Sequence, residues 1–251
     1  MPRLTPNRLV AACALVLALS LSTAASASAA AKSFGAELRV VGAGGKLLAE
    51  KTVTTGTASV KTSPKATCFG KGSGGSGKSV SIAGNTAMGL LAMASKSTAA
   101  LRPLLISDSF DFGLALCGIG SSVAKGKSSW YLKINHKSPS VGGDKAKIKS
   151  GDEVLWDLAP SYPYPEELVL VTPVQATAGM PFTVTAYGYD EKGKRKPAAG
   201  VTISGATSVT DASGKATVTV SKATLLSATK KGAIPSAKVG VCVGNECPPS
   251  G

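Results

Sequence analysis

Short alternating segments are the feature that most restricts the fold of this chain. Between residues 168 and 247 the sequence contains LVLVTPVQ, PFTVTAYGYD, AAGVTISG, GKATVTV and AKVGVCV, separated by turn signals such as DEKGK and DASGK. Successive side chains of a strand point to opposite faces, so this alternation predicts strands with one buried face. No helical pattern interrupts the series, and we therefore predict an all-β sandwich over residues 168–247.

Residues 32–160 have a different pattern. AELRVV and LLAEKTVT flank the turn-like GAGGK and predict an opening hairpin, and SVSIA predicts a short strand. Asn85 or Thr86 is placed to cap a helix whose Met88, Leu91 and Ala92 share one face. LLISDSFDFGLALCGIG, SSWYLKIN and KAKIKSGDEVLWDLA predict further strands joined by glycine turns. We therefore predict an α+β domain over residues 32–160, a proline-rich linker over 161–167 and a tail over 248–251.

The first 31 residues are typical of a secretory signal peptide. Arg3 and Arg8 precede the apolar LVAACALVLALSL, and SASAAAKS supplies the small residues of a cleavage site. No apolar run of about 18 residues follows, so we expect no transmembrane segment. These features predict a secreted, extracellular protein.

Four cysteines remain after the signal peptide: Cys68, Cys117, Cys242 and Cys247. An even number of cysteines in an exported chain favours disulfides over metal or redox chemistry. Three pairings are possible, and the spacing favours Cys68–Cys117 with Cys242–Cys247. Closing the longer loop is expected to stabilise the fold by about 4 kcal/mol, and closing the shorter by roughly half as much.

The charge of the chain is strongly positive. Without Arg3 and Arg8 the formal charge falls from +14 to +12, and most of the excess is lysine. Nucleic-acid readers favour arginine, whose planar fork matches base edges and phosphates, so we expect no nucleic-acid partner. Dispersed lysine favours weak attraction to anionic cell-wall polymers instead. The densest run, KGKRK at residues 192–196, is predicted to be a hairpin tip.

The segment GSGGSGKS, from Gly72 to Ser79, matches the phosphate-loop pattern G-x-x-x-x-G-K-[ST]. A working phosphate loop follows a buried strand and opens a helix, whose N-terminus holds the phosphates. Here SPKATCFGK precedes the match and the strand-like SVSIAG follows it. We therefore interpret the match as accidental and predict no nucleotide site.

Catalytic and metal-binding patterns are weak. His136 is the only histidine, which excludes H-E-x-x-H and multi-histidine zinc sites, and no G-x-S-x-G is present. Asp108 with Asp111, and Asp152 with Glu153, are carboxylates that could lie near each other. Adjacent strand residues point to opposite faces, and SGDEV is typical of a turn entering a strand. We therefore predict neither an enzyme nor a metal site.

Other residues allow two interpretations. His136 follows Asn135 in a predicted turn, where it is either a solvated loop residue or a contact, or axial ligand, to a metal-bearing small molecule. Trp130, Tyr131 and Trp156 belong either to the core or to a partly exposed stacking surface.

The stretch SSWYLKINHKSPSVGGDKAKIKSGDEVLW resembles a secreted bacterial domain family of unknown function that is related to the C-terminal domain of transcobalamin and intrinsic factor. The resemblance covers roughly residues 36–160 and includes the helix NTAMGLLAMA and the segment FDFGLALCGIG. Its motif positions are an aromatic pair, a turn, a small-residue segment and a final strand: Trp130–Tyr131, Ile134–Asn135–His136, Val141–Gly142, and Gly151, Asp152, Val154 and Trp156. His136 stands where the family usually has glycine.

This resemblance implies a β-grasp-like domain, a mixed sheet wrapping one helix, that binds a ligand without catalysis. It implies no cofactor, although a cobalamin-type ligand is compatible with it. The ligand-binding surface is expected near Trp130, Tyr131, Asn135 and His136. The second region resembles a bacterial immunoglobulin-like domain, which implies a β-sandwich that serves as a spacer or contacts proteins.

Together these observations predict an exported, non-enzymatic protein that binds an extracellular small molecule or peptide. The alternative is a cell-envelope adhesion or scaffolding protein. Its lysine-rich surfaces would associate with anionic wall polymers or with another envelope protein.

Overall fold

Nine strands and one α-helix make up residues 33–159 in the computed structural model, which describes residues 33–249. The predicted signal peptide and the last two residues of the predicted tail lie outside the described residues. The elements are β1 Gly35–Val41, β2 Leu47–Thr54, β3 Ala58–Lys61, β4 Ser79–Ile82, α1 Ala87–Ser97, β5 Leu104–Phe110, β6 Gly113–Ile119, β7 Ser122–Val123, β8 Ser129–Ile134 and β9 Glu153–Ala159. Short 3-10 turns span Ala43–Gly45 and Ala99–Leu101.

A four-stranded mixed sheet in the order β2-β1-β9-β8 organises this half of the chain. The central pair, β1 and β9, is parallel, and the outer pairs are antiparallel. Helix α1 packs on one face, where Met88, Leu90 and Leu91 meet Leu38 and Trp156 in a hydrophobic core. The predicted hairpin of β1 and β2 is therefore confirmed.

The helix begins where the sequence predicts. Thr86 is the N-cap residue, and its Oγ1 accepts a hydrogen bond from the Gly89 backbone N–H at 3.1 Å. This contact satisfies one of the amides that a helix N-terminus leaves unpaired. The predicted face of Met88, Leu91 and Ala92 is buried, which confirms the helix and its orientation.

Smaller sheets complete the first half of the chain. Strands β3 and β4 pair with each other, and β5, β6 and β7 form a meander. A disulfide between Cys68 and Cys117 ties the loop before β4 to β6, and a second joins Cys242 to Cys247. Both predicted pairings are confirmed.

Residues 167–249 form nine further strands and no helix. These are β10 Glu167–Val171, β11 Gln175–Ala176, β12 Pro181–Tyr189, β13 Arg195–Pro197, β14 Thr202–Ile203, β15 Lys215–Thr219, β16 Thr224–Leu226, β17 Ala228–Thr229 and β18 Val239–Val243. They build the sheet β10-β12-β13, with β15 also on β12, together with β11-β18-β16 and β14-β17. The sheets enclose a second core around Leu168, Val184 and Val241.

The predicted hairpin tip at KGKRK is confirmed in part: residues 192–194 lie in the turn between β12 and β13, whereas Arg195 and Lys196 belong to β13. The Oδ1 atom of Asp190 accepts from the backbone N–H groups of Lys192 and Lys194, at 2.9 and 2.8 Å. Such a side-chain acceptor replaces backbone partners in a tight turn.

The second face of the mixed sheet is buried by the C-terminal strands. Leu155, Val41 and Tyr131 point away from α1 and form a third cluster with Ile234. Residues 33–249 belong to one compact unit. The mixed sheet is therefore covered on both faces, so solvent reaches it mainly at its edges.

The predicted linker packs against the mixed sheet. Tyr164 stacks on Tyr131 with ring centroids 4.0 Å apart. Glu167, at the end of that segment, is the first residue of β10 and is 2% exposed. Within residues 33–249, no helix has the length and apolar character needed to cross a membrane.

Candidate functional site: an aromatic groove at a sheet edge

An aromatic groove with a volume of about 270 Å³ runs along the free edge of β8. Its opposite wall comes from β6, and the segment from Ser138 to Gly143 closes one side. We call it the aromatic groove. The residues that define it are Phe69, Met88, Phe112, Leu114, Leu116, Trp130, Tyr131, Leu132, Ser138, Val141, Gly143, Trp156 and Tyr164.

The position of the groove follows from strand geometry. Trp130 and Leu132 point toward α1, whereas Tyr131 points toward the C-terminal strands. All three line the same groove. Successive side chains reach one groove only where it runs along the edge of their strand. β8 is a terminal strand of its sheet, so the groove is a consequence of the strand order.

Three buried polar atoms that belong to residues lining the groove have no hydrogen-bond partner among residues 33–249. They are Trp130 Nε1, Trp156 Nε1 and the Tyr131 hydroxyl oxygen. Buried polar groups are almost always hydrogen-bonded, and leaving one unpaired costs about 1–3 kcal/mol. Three such groups in one groove are therefore a feature that requires an explanation.

The Tyr131 hydroxyl is held in its protonated form. Burial raises the pKa of Tyr131 above its usual range, and nearby Ser138 opposes this effect. No hydrogen bond of normal geometry joins the Tyr131 hydroxyl to a partner within the described residues. At neutral pH this group is a neutral hydrogen-bond donor on a residue that lines the groove.

The rim of the groove is apolar and exposed. Phe69 and Phe112 are each 59% exposed, and Val141 is 48% exposed. Large exposed apolar side chains that cluster beside a concave surface mark interaction sites more often than isolated ones do. None of the residues that line the groove is Asp, Glu, Lys, Arg or His.

The four residues expected at the ligand-binding surface separate into three places. Trp130 and Tyr131 lie in the aromatic groove. Asn135 lies in the turn after β8, where its Nδ2 donates to Asp152 Oδ1 and its Oδ1 accepts from the Glu153 backbone N–H, both at 2.9 Å. Asn135 therefore holds the turn against the start of β9. His136 belongs to a different cluster.

Asn135 and His136 form a two-residue turn between Ile134 and Lys137. Their φ values are 49° and 68°, both in the left-handed region, as a type I′ hairpin turn requires. Glycine is favoured at the second position because it has no Cβ to strain. His136 occupies this position although it has a Cβ.

His136 is held by carboxylates on both sides. Its Nδ1 lies 3.2 Å from Glu167 Oε2, its Nε2 lies 3.5 Å from Glu153 Oε2, and its ring lies 4.3 Å from the ring of Tyr189. Both ring nitrogens thus face groups of this chain. A role as a metal ligand would require His136 to leave one of these carboxylates.

His136 adjoins a buried charge cluster, which we define as Arg39, Lys133, Asp157 and Glu167. Lys133 is fully buried; its Nζ donates to the Tyr189 carbonyl at 2.9 Å and lies 3.5 Å from Glu167 Oε2. Arg39 donates to both Glu167 and the Pro235 carbonyl. These contacts join the mixed sheet to the C-terminal strands.

Burial and pairing act in opposite directions on the pKa values of this cluster. Burial raises the pKa of Asp157 to about 7, with Arg39 opposing. Burial lowers the pKa of Lys133, with Glu167 opposing. For Glu167, His136 and Arg39 together outweigh burial and hold its pKa below the usual value.

A second cavity, of about 480 Å³, lies beside this cluster and is lined by Arg39, His136 and Glu167 at one end. Glu50 and Lys238 line its other end, where the Lys238 backbone N–H donates to Glu50 Oε1 at 2.6 Å. Arg39, His136, Glu153 and Glu167 pair with one another. No ion pair within the described residues involves the other charged side chains of its lining, those of Glu37, Glu50, Lys51 and Lys238. We refer to it as the interfacial cleft.

The phosphate-loop match lies on the surface of the β5 hairpin. A strand, β4, follows it rather than a helix, as the sequence predicts. The Ser76 backbone N–H and hydroxyl both donate to the Asp108 carboxylate at 2.6 Å. A carboxylate of the chain itself therefore occupies the position where a phosphate loop would present donors to an anion.

One carboxylate of each candidate pair accepts hydrogen bonds that stabilise a turn or loop. Asp108 binds the Ser76 loop, and Asp152 accepts from the Lys149 backbone N–H at 2.9 Å. No group of three or more His, Cys, Asp or Glu side chains suited to a metal ion occurs within the described residues.

Sequence reasoning missed several residues of these sites. The sequence patterns single out none of Phe69, Phe112 and Tyr164, which line the groove. They allow Trp156 to lie either in the core or on a stacking surface, and in the structure it is buried and also lines the groove. The charge cluster has a sequence signal, because Arg39, Lys133 and Asp157 each stand between two apolar residues of a strand.

Comparison with known proteins does not identify a family for this chain. No protein-family model matches the chain, and no curated protein matches it. The function must therefore be argued from the sites themselves.

Proposed function

We propose that the chain is a non-enzymatic binding protein that takes an uncharged, ring-sized ligand group in the aromatic groove. The observation that carries this proposal is the set of three buried, unpartnered donors on Trp130, Tyr131 and Trp156. A ligand with hydrogen-bond acceptors would satisfy them, while the aromatic rings bury its apolar surface. A small molecule or one residue of a peptide has this chemistry.

The lining supports an uncharged ligand group. A charged group that entered the groove would lose its hydration without gaining an ion pair, which is costly. The volume of about 270 Å³ lies just below the ~300–1,000 Å³ range of small-molecule sites. A single ring fits such a volume, whereas a whole corrinoid does not.

The lining also supports binding over catalysis. General acid–base catalysis needs a group whose pKa lies near the working pH. The titratable groups that line the groove are the tyrosines, and burial moves the pKa of Tyr131 away from neutrality. In the charge cluster Arg39 and Lys133 pair with Glu167, and neither these residues nor Asp157 line the groove.

We also propose a fold type for each of the two regions, and we propose that the protein is secreted. The mixed sheet with one helix on it supports a β-grasp-like fold of the transcobalamin C-terminal type for residues 36–160, and the C-terminal strands support an immunoglobulin-like sandwich. The two disulfides support secretion, because such bonds persist in oxidising compartments.

Intrinsic fluorescence tests the ligand proposal directly, because Trp130 and Trp156 are the only tryptophans of the chain and both line the groove. The probes are N-acetylglucosamine, N-acetylphenylalaninamide and aquocobalamin. We expect a saturable emission change with one of the first two at millimolar concentration, the range in which ring-sized fragments bind. Absence of any saturable change with both would overturn the proposal.

Two variants locate the site. Trp130→Ala should weaken binding at least tenfold, because it removes a ring and a donor together. Tyr187→Ala is the matched control, since Tyr187 stacks beneath Arg195 away from the groove. Equal losses in both variants would contradict the assignment of the site. Saturable binding of aquocobalamin that is lost in His136→Ala would move the ligand site to the interfacial cleft.

A further inference from the structure

Three of the five phenylalanines of the chain stand together on the surface. The rings of Phe110 and Phe112 stack with centroids 4.8 Å apart, and Phe69 meets Phe110 edge-on at 5.3 Å. We call these three residues the phenylalanine tip. Phe112 lies in the turn between β5 and β6, and Phe69 lies in a separate turn beside it. Despite their mutual contacts, Phe69 and Phe112 both remain 59% exposed.

The tip is held in place by covalent and polar contacts. The disulfide of Cys68 with Cys117 anchors the turn of Phe69 to β6. Lys145 Nζ donates to the Phe112 carbonyl at 2.7 Å. Gly113 adopts φ +127°, and a Cβ there would meet Asp144 Oδ2 at 2.6 Å, so the turn depends on glycine. The aromatic rings are thus presented outward by a constrained pair of turns.

The segment that carries Phe69 is strongly basic. Residues 51–107 contain no acidic residue and seven basic ones: Lys51, Lys61, Lys65, Lys71, Lys78, Lys96 and Arg102. Lys65 and Lys71 are exposed in the same loop as Phe69. Two acidic residues lie at the tip: Asp111 stands between Phe110 and Phe112 and is exposed, and Asp108 accepts hydrogen bonds from Ser76. The exposed rings of Phe69 and Phe112 therefore stand beside three exposed lysines, Lys65, Lys71 and Lys145, and one exposed acidic residue.

We propose that the phenylalanine tip docks the protein on an anionic lipid bilayer, with Phe69 and Phe112 entering the interfacial layer and Lys65 and Lys71 contacting the headgroups. Aromatic rings partition into the membrane interface, and basic residues beside them gain from the negative surface potential. We favour lipid over a protein groove because two large rings are exposed together and the lysines beside them outnumber the exposed acidic residue, which suits an anionic surface. The protein would associate with the bilayer without crossing it.

This interaction goes beyond the binding of a ligand in the aromatic groove, although Phe69 and Phe112 also line the groove rim. Trp130 lines the groove but does not belong to the tip, so a substitution of Trp130 distinguishes ligand binding from lipid binding. A bound bilayer would bring the groove mouth close to the lipid surface.

Co-sedimentation with vesicles tests the proposal. The protein used begins at Lys32, because that unit contains both hydrophobic cores and both disulfides and lacks the apolar leader. The vesicles contain phosphatidylcholine alone or equal parts of phosphatidylcholine and phosphatidylglycerol. We expect binding to the mixed vesicles, and a loss of roughly tenfold for each of Phe69→Ser and Phe112→Ser. Lys65→Gln and Lys71→Gln should each weaken binding to the mixed vesicles about fivefold.

Matched controls come from other exposed apolar residues. Val174 is 79% exposed and Met180 is 59% exposed, and neither belongs to the tip. Val174→Ser and Met180→Ser should leave vesicle binding unchanged, as should Trp130→Ala. Unchanged melting temperatures would show that all these surface variants fold.

Three outcomes would overturn the lipid proposal. The first is a wild-type protein that stays in the supernatant with both kinds of vesicle. The second is a Phe69→Ser/Phe112→Ser variant that sediments like the wild type. The third is binding that depends on the lysines and on salt but not on the phenylalanines, which would indicate adsorption to any anionic polymer, including the cell wall. None of these outcomes bears on ligand binding in the groove, which the fluorescence titration tests separately.

Discussion

Arg39 Nη2 donates to Glu167 Oε1, and this buried contact joins two strands whose residues are 128 positions apart in the sequence. The side chains are 10% and 2% exposed, so water screens the pair very little. The contact lies where the mixed sheet meets the C-terminal strands. It is therefore a structural link between the two halves of the compact unit.

Replacing Glu167 with glutamine tests this link. Glu167→Gln leaves Arg39 and Lys133 buried without their main counter-charge, and we expect a loss of about 3–5 kcal/mol in the free energy of unfolding. The exposed pair of Lys196 and Glu166, 3.3 Å apart with Lys196 71% exposed, provides the control. Lys196→Gln should cost no more than about 1 kcal/mol. Urea unfolding measures both, and similar small losses in the two variants would contradict a structural role for the cluster.

Asp157 makes the stability of the same interface dependent on pH. Its pKa is raised from 3.8 to about 7 by burial, so the folded protein binds a proton more tightly than the unfolded chain does. The Asp157 contribution to stability is therefore largest below about pH 4 and is lost as the pH rises from about 4 to about 7. The sign is opposite to that of a salt-bridged carboxylate such as Glu167, whose pKa is lowered.

Asp157→Asn isolates this effect, because asparagine keeps the shape of the side chain and does not ionise. The variant should become more stable relative to the wild type as the pH rises from about 5 to about 8. Melting temperatures of both proteins across this range provide the measurement. A difference between the two that does not change with pH would show that Asp157 does not titrate in this window.

Sequence patterns predict the local structure of this chain well, for a physical reason. Strand alternation, the Thr86 cap and the cysteine spacing are properties of neighbouring residues or of simple loop closure, and the sequence displays them directly. The burial of Met88 and Leu91 follows from helical periodicity. Such elements can be predicted without knowing which other parts of the chain pack against them.

The sites could not be predicted in the same way. Lys133 in WYLKIN and Asp157 in VLWDLA stand on strand faces that a lone sheet would expose, and the C-terminal strands cover those faces only in the folded chain. Their counter-charge, Glu167, was assigned to a linker. The groove likewise depends on β8 being a terminal strand, which the sequence does not specify.

His136 combines backbone strain with a charged contact, and two substitutions separate them. Its φ of 68° is unfavourable for a residue with a Cβ and neutral for glycine. Both His136→Gly and His136→Ala remove the imidazole beside Glu167, but only alanine keeps the strained Cβ. We expect His136→Gly to be more stable than His136→Ala by about 1 kcal/mol. Thermal unfolding compares them directly, and an alanine variant equal to or better than glycine would show that the turn is unstrained.

The two disulfides should stabilise the fold unequally. Cys68–Cys117 spans 49 residues and Cys242–Cys247 spans five, so the first restricts the unfolded chain much more. Loss of chain entropy predicts a cost of about 4 kcal/mol for replacing both Cys68 and Cys117 with serine, and about 2 kcal/mol for the pair Cys242 and Cys247. Denaturant unfolding of the two double variants gives the ratio of the two stability losses.

The Cys68/Cys117 variant should also weaken vesicle binding, since it frees the turn of Phe69, whereas the Cys242/Cys247 variant should not. Equal costs together with unchanged vesicle binding would mean that neighbouring contacts, and not the disulfide, hold the phenylalanine tip in place.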